Sequence, residues 1–321
     1  LALLCALPGR FVLAGTLRMR ERPLGALVQA LRSRGARIEA LSREGFLPLR
    51  VEGATLTGGE VSVRSDVSSQ FISALLLVAP AVPGGLEVRS EGREVSGAYV
   101  ELTRQVLRAF APEGRPRPTR YVVPGDDSAA CFPIAGALVS RGRVALEGLD
   151  PLSLQPDAVF RTWAENAGGT LRWEGEGEGA VLLVEGGEIR GLEADVDAAP
   201  DAALPLAALL AFARGASRLS GVARLREKES DRLAAMLDLL ARSGASAAPG
   251  GTDAGERVEI DGDAGRPRRA DFLAFDDHRV AMAAAVFALL LPEGCTLDAP
   301  EVVSKSYPGF WADWAGLVTA R

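Results

Sequence analysis

Apolar residues recur along this chain in two alternating patterns. In the first, a short stretch of β-branched residues and Leu ends at a Gly, and a polar turn leads into an amphipathic helix closed by a second Gly. FVLAGTLRMRERPLGALVQALRSRGARIEAL, RVALEGLDPLSLQPDAVFRTWAENAGGTLRWEG and SRLSGVARLREKESDRLAAMLDLLARSGASAAP all follow this plan. Their strands end at Gly15, Gly148 and Gly221, and their helices at Gly35, Gly168 and Gly244. The second pattern is VSVRSDVSSQFISALLLVAP, YVVPGDDSAACFPIAGALVS, LEADVDAAPDAALPLAALLAFA and FLAFDDHRVAMAAAVFALLL. Each is a short strand, then Asp with small polar residues, then a helix that is apolar nearly all round and so predicted to be buried within other elements. Together they predict an α/β fold built from repeated βαβαββ units. Pro and Arg density rises at RPRPTRYVVPGDD. A new strand and a hinge at Val123 and Pro124 are expected there, dividing the chain into domains 1–123 and 124–321.

The first residues, LALLCALPGR, form an apolar run with no capping residue, stopped by Pro-Gly. The run lacks the basic start and length of a signal peptide. ALPLAALLAFA near Ala203 is too short to span a bilayer and reads as a buried helix, so no membrane partner is expected. With 321 residues, 48% of them hydrophobic and 24% charged, the chain can bury a large core in two domains. Cys5, Cys131 and Cys295 are far apart and fit no metal spacing, so they are expected to be buried thiols of a cytoplasmic protein. The 36 Lys and Arg against 42 Asp and Glu give a net charge of −6, which argues against nucleic acid as a partner. Anionic ligands would have to be captured by local cation clusters.

Four such clusters stand out: Arg18, Arg20 and Arg22 in LRMRERP; Arg226, Lys228 and Arg232 in LREKESDR; Arg279 in DDHR; and Lys305 in SKSYPGFW. Most fall at strand-to-helix turns or helix starts, where guanidinium forks and free N–H groups can meet a phosphate or carboxylate together. The plainer reading of each is a solvated face, with Lys228 and Arg232 paired to Glu229 or Asp231. His278, the single histidine, stands between Asp277 and Arg279, where a carboxylate can orient it and a helix start favours its neutral form. Asp201 opens an apolar helix, as a cap or as a general base. P-loop, dinucleotide, zinc-protease and serine-nucleophile motifs are absent.

RMRERPLGALVQAL, DVSSQFISALLLVAP, VSGAYVEL, PDAALPLA, REKESDRL, DDHRVAMA and SKSYPGFW, in that order, closely resemble the 5-enolpyruvylshikimate-3-phosphate synthase family. The resemblance implies a two-domain inside-out α/β barrel of three units per domain. It also implies transfer of the enolpyruvyl group of phosphoenolpyruvate to the 5-hydroxyl of shikimate 3-phosphate, with no metal or organic cofactor. By the same resemblance, Ser68, Ser69, Gln70, Ser96, Tyr99, Asp201 and Lys228 would hold shikimate 3-phosphate. Arg22, Gln70, Arg232, Arg279 and Lys305 would hold phosphoenolpyruvate. Asp201 would take the hydroxyl proton, Glu229 with Lys305 would protonate the methylene carbon, and His278 joins this catalytic group. The protein is expected to be monomeric if complete.

The sister family, UDP-N-acetylglucosamine enolpyruvyl transferase, usually has a Cys ahead of the Arg-Pro pair, whereas Gly15 to Arg18 contains none. Ser96-Gly97-Ala98-Tyr99 departs from the usual Ser-basic-Pro-Tyr, and Arg224 stands where Asn is common. The resemblance also makes Leu1 the middle of a helix, with the first domain one repeat short. An enzyme completed by a complementary N-terminal fragment and a non-catalytic homologue are the two readings that follow.

Overall fold

The computed structural model describes residues 1–64, 69–91, 97–110, 120–251, 255–262, 269–289 and 291–319. The chain forms two compact units, Leu1–Tyr121 and Val122–Arg321.

In the first unit, helix α1 (Ala2–Ala6) has no side-chain cap at Leu1 and runs into strand β1 (Gly9–Leu13). The segment LRMRERP is a short helix, α2 (Leu17–Glu21), rather than a turn, because the Thr16 hydroxyl accepts from the Met19 N–H and caps it. Helix α3 (Gly25–Ser33) and strands β2 (Arg37–Ala40) and β3 (Leu49–Gly53) follow. The antiparallel sheet has β3 at its centre, with Val51 opposite both Phe11 and Ile38. Strands β4 (Gly59–Arg64) and β5 (Leu86–Glu91) pair in parallel through a crossover that holds helix α4 (Ser69–Val78), and α5 (Gly97–Phe110) packs on α4. Leu31, Leu49, Val51, Leu75 and Val100 are completely buried.

The second unit repeats the same logic with more copies. Helix α6 (Asp127–Ser140) precedes β6 (Arg143–Glu147), α7 (Val159–Asn166), β7 (Thr170–Glu174) and β8 (Val181–Glu185). A full strand-helix-strand-helix-strand-strand copy comes next: β9 (Glu193–Asp195), α8 (Ala203–Leu210), β10 (Ala216–Ser220), α9 (Arg232–Arg242), β11 (Ser246–Gly250) and β12 (Arg257–Asp261). Then follow β13 (Ala270–Phe272), α10 (His278–Ala288), β14 (Cys295–Leu297) and α11 (Phe310–Thr319). Strand pairs β9–β10 and β13–β14 are parallel, as the crossover through a buried helix requires. Helices α6, α8 and α10 pack on one another. All eight residues of α8 are buried. Each buried Leu contributes about 1.5–3 kcal/mol, enough to hold a short helix that includes Pro205.

At Gly221, after β10, φ is +72° and an added Cβ would stand 2.2 Å from Asp195 Oδ1, so the turn into the next helix admits only Gly. The described strands form five separate sheets. The strand expected at 121–123 is not formed. Pro124 fixes φ and has no N–H, and the Gly125 N–H is donated to the Gly148 carbonyl instead of to a ladder. Of the three thiols, Cys5 and Cys131 are buried but Cys295, the first residue of β14, is exposed, contrary to the expectation for it.

Candidate active site

The buried helices of the second unit begin with polar residues, and these starts meet the first turns of the surface helices. Asp277 is the N-cap of α10, accepting from the Arg279 N–H at 3.0 Å. Asp231 caps α9 in the same way, through the Ala234 N–H at 3.0 Å. Asp201 does not cap α8, whose start has no side-chain cap; it lies in a 3-10 turn, Pro200–Ala202, and its carboxylate is turned to cations.

Arg232, the first residue of α9, is 1% exposed. Its Nε donates to Asp277 Oδ2 at 2.7 Å, Nη2 to Asp277 Oδ1 at 3.2 Å and to Glu229 Oε2 at 2.8 Å, and Nη1 to Asp201 Oδ1 at 2.6 Å. A guanidinium so deeply buried is tolerable only because ionised partners occupy most of its donors. This is not the solvated helix face that local sequence suggests. Around the same carboxylates, Arg279 Nη2 lies 3.3 Å from Asp201 Oδ2, Lys228 Nζ 3.6 Å from Asp201 Oδ1, and Lys305 Nζ 3.4 Å from Glu229 Oε1. Arg226, grouped with Lys228 and Arg232 by sequence, pairs instead with Glu256 and Asp231 at the surface.

Burial alone would push the Asp201 carboxyl up, but Arg279, Lys228 and Arg232 together outweigh it and hold it down at about 2. Glu229 is lowered as well: burial opposes the shift, and Arg232, its own backbone N–H and Lys305 prevail. His278 is 5% exposed, and burial, aided by Arg279 and Arg232, lowers its pKa against the pull of Asp277. The imidazole is therefore neutral at pH 7. The expectation that a carboxylate orients it fails, since Nδ1 is 3.8 Å from Asp277 Oδ1, too far for a hydrogen bond, and has no other hydrogen-bond partner among the described residues. The Asp277 oxygens are committed to Arg232, Ser230 and the Arg279 N–H.

A second buried group, not singled out by sequence, stands at the start of α6. Asp127, 2% exposed, pairs with Arg161 of α7, whose guanidinium lies over the Trp173 ring at 4.9 Å. Beside it, Asp157 is also 2% exposed, and its Oδ2 is 2.5 Å from Ser128 Oγ. Burial pushes the Asp157 carboxyl up to about 6, with the negative charge of Asp201 acting in the same direction. The one available sequence signal was a repeated tripeptide, Pro-Asp-Ala, at 156–158 and at 200–202.

In the first unit, Arg22 is the C-cap of α2, Arg18 pairs with Glu21 at 3.0 Å, and Arg20 donates to the Gly15 carbonyl at 3.0 Å. Ser69 is buried at the start of α4, with Gln70 exposed beside it. Tyr99 is half-buried near the start of α5, where its carbonyl accepts from Thr103. Ser68 and Ser96 lie outside the described residues. Among the described residues, no group of His, Cys, Asp and Glu is placed to hold a metal ion, and no helix is long and apolar enough to cross a membrane.

The arrangement gathers four cations and three carboxylates at the ends of buried helices, an excess of positive charge suited to a small polyanion. Residues 1–314 match the family model described as EPSP synthase (3-phosphoshikimate 1-carboxyvinyltransferase). A 3-phosphoshikimate 1-carboxyvinyltransferase of Shewanella sediminis is 32% identical over 324 residues, covering 96% of this chain and 74% of that protein. The Vibrio cholerae protein of the same name is 33% identical, covering 98% of this chain and 75% of its own length. Among solved structures, an EPSP synthase from Acinetobacter baumannii superposes with a TM-score of 0.72 at 24% identity, covering 98% of this chain and 75% of that one. The enolpyruvyl transferase NikO from Streptomyces tendae superposes equally well, at 0.72, with 16% identity over 96% of this chain and 73% of that one. At these identities, the two structures speak for the fold alone.

Proposed function

The chain belongs to the EPSP synthase family, and from that premise we propose that it transfers the enolpyruvyl group of phosphoenolpyruvate to the 5-hydroxyl of shikimate 3-phosphate, releasing phosphate. The observation that carries this reading is the setting of Asp201, a carboxylate at the mouth of a buried helix within 3.6 Å of Arg232, Arg279 and Lys228. Arg279 and Lys305 take the anionic groups of phosphoenolpyruvate and Lys228 takes part of shikimate 3-phosphate. Arg232, expected from the sequence to bind phosphoenolpyruvate, is instead buried and donates to Asp277, Asp201 and Glu229, which it holds in place. Asp201 accepts the proton of the attacking hydroxyl as the new C–O bond forms at the enol carbon. Glu229, beside Lys305, delivers a proton to the methylene carbon, and proton loss from that carbon with phosphate departure restores the double bond. His278, neutral and buried between Asp277 and Arg279, is kept in the catalytic group, although its Nδ1 makes no hydrogen bond to Asp277.

At about 2, Asp201 is a weak base while its cations are unoccupied. Anionic substrates neutralise Arg279 and Lys228, relax their hold on the carboxylate and make it more basic when an acceptor hydroxyl is present. The same reasoning opposes Glu229 as an acid until the charge beside it changes. Arg22, Ser69, Gln70 and Tyr99 are assigned to substrate binding by family resemblance. The inside-out α/β barrel and a cytoplasmic location belong to the same proposal. The test is phosphate release from phosphoenolpyruvate with shikimate 3-phosphate or UDP-N-acetylglucosamine as acceptor. Release that requires shikimate 3-phosphate is expected; release only with the nucleotide sugar, or from neither mixture by folded protein, overturns the assignment.

A further inference from the structure

Two turns of identical sequence, Pro156–Ala158 and Pro200–Ala202, pack against each other in the second unit. They carry carboxyls in opposite settings. Asp201 faces Arg232, Arg279 and Lys228. Asp157 lies beneath, 2% exposed, with Ser128 Oγ 2.5 Å from its Oδ2. The reaction proposed above has no use for Asp157, although its turn packs against the turn of the base and the charge of Asp201 is felt there.

We propose that Asp157 is a positioning residue for the proton transfer: its negative charge, when present, raises the proton affinity of Asp201 across the packed turns. The inference rests on the reaction assigned above. A like charge makes a neighbouring carboxylate a better base, and burial limits the screening of that effect by solvent. The coupling is mutual, so a proton gained by Asp201 during the reaction lowers the proton affinity of Asp157 in turn. Asp157 thus acts as a charge reserve that sets how readily its neighbour takes the hydroxyl proton.

The groups facing Asp157 agree with this role. Ser128, Asp126 and Cys131 come from α6 and its cap, Asp201 from the paired turn and Arg279 from the start of α10, while the Asp127–Arg161 pair stands on the two helices packed against the Asp157 turn. Arg161 is engaged by Asp127. Burial holds the Cys131 thiol well above its ordinary value and so neutral. Burial and the charges of Asp201 and Asp126 favour the protonated form of Asp157, whereas the Ser128 hydroxyl and Arg279 favour the ionised form. The balance falls at about 6, within reach of ordinary assay conditions.

The test is turnover of the whole chain at saturating phosphoenolpyruvate and shikimate 3-phosphate, from pH 5 to 8.5 in roughly half-unit steps, for wild type, Asp157→Asn and Ser128→Ala. Wild type should lose turnover on an acid limb near pH 6. In Asp157→Asn that limb should vanish, leaving a flat rate at pH 7.5 lower by about tenfold for each pKa unit of basicity lost from Asp201, with KM values unchanged. Ser128→Ala removes a group that favours the ionised form, so the limb should move to higher pH.

Loss by the same factor at every pH, with the limb unmoved, would reveal a merely structural residue and overturn the proposal. If Asp157→Asn does not fold, an unmoved limb in Ser128→Ala overturns it equally. Absence of turnover in wild type counts against the reaction. The charge of Asp157 is then read from unfolding: the melting temperature of Asp157→Asn relative to wild type should rise between pH 4 and 6.5, and a constant difference overturns the inference.

Discussion

Replacing Arg232 by Met tests whether one guanidinium holds the site together. The side chain is 1% exposed and binds Asp277, itself fully buried, together with Asp201 and Glu229. Met keeps most of the apolar volume but leaves three carboxylates facing one another. Removing one partner from a buried ion pair costs about 3–5 kcal/mol, most of it the cost of the charge left behind. For a unit of this size, each kcal/mol moves the midpoint by about 2–4 °C, so the melting temperature should fall by roughly 6–20 °C. Tryptophan fluorescence is a suitable probe, because Trp163, Trp173, Trp311 and Trp314 all belong to the second unit.

The pH dependence of this deficit adds a second constraint. In wild type, Asp201, Asp277 and Glu229 have lowered pKa values, each against the opposing effect of burial, so their stabilising contribution is present above the unfolded-state values and lost as pH falls through the folded ones. Without Arg232 these carboxyls take up protons more readily, and the gap between variant and wild type should narrow from pH 7 to pH 4.5. A fall of less than about 2 °C at pH 7, or a gap that ignores pH, would show that Arg232 is not the charge on which the cluster depends.

Asp201→Asn should retain the fold and lower turnover by about 10²–10⁴-fold in the phosphate-release assay, and near-normal turnover would remove it as the base. Gly221→Ala meets both a φ of +72° and a contact 2.2 Å from Asp195 Oδ1, so it should destabilise the second unit by about 1–3 kcal/mol in urea unfolding. A disulfide reagent applied to folded protein at pH 8 should modify exposed Cys295 alone, slowly because partial desolvation and the charge of Asp271 raise its pKa, with Cys5 and Cys131 reacting only after unfolding.

Much of this structure is written in local periodicity. The glycine-closed amphipathic helices and the all-apolar helices could be read from the chain because burial imposes a spacing within one element. The start of α6 was harder: a β-like YVV run has no ladder because Pro124 and the Gly125 hydrogen bond send the backbone elsewhere. The electrostatics were least legible. Arg232 could be seen near Glu229 and Asp231, but its dominant partner is Asp277, and Asp157 is raised first by burial between elements far apart in sequence and then by Asp201 on a different turn. Such pairs join separate copies of the repeat, and no spacing within a copy encodes them. For Asp201 the sequence left a helix cap and a general base both open, and the structure removes only the first, since α8 has no side-chain cap.

The three buried helix starts of the second unit also bear on how an asymmetric catalyst arises from a repetitive chain. A strictly threefold arrangement would present the same side chains three times, and a substrate with distinct ends could not tell them apart. Here the starts are Asp126-Asp127-Ser128, Pro200-Asp201-Ala202 and Asp277-His278-Arg279, on one shared scaffold. Duplication supplies backbone positions whose cost in stability is already met by buried Leu and Ala. Each copy can then change its polar residues independently of the other two. Division of labour among equal positions thus requires no new fold, only mutation at the tips of helices that the core already secures.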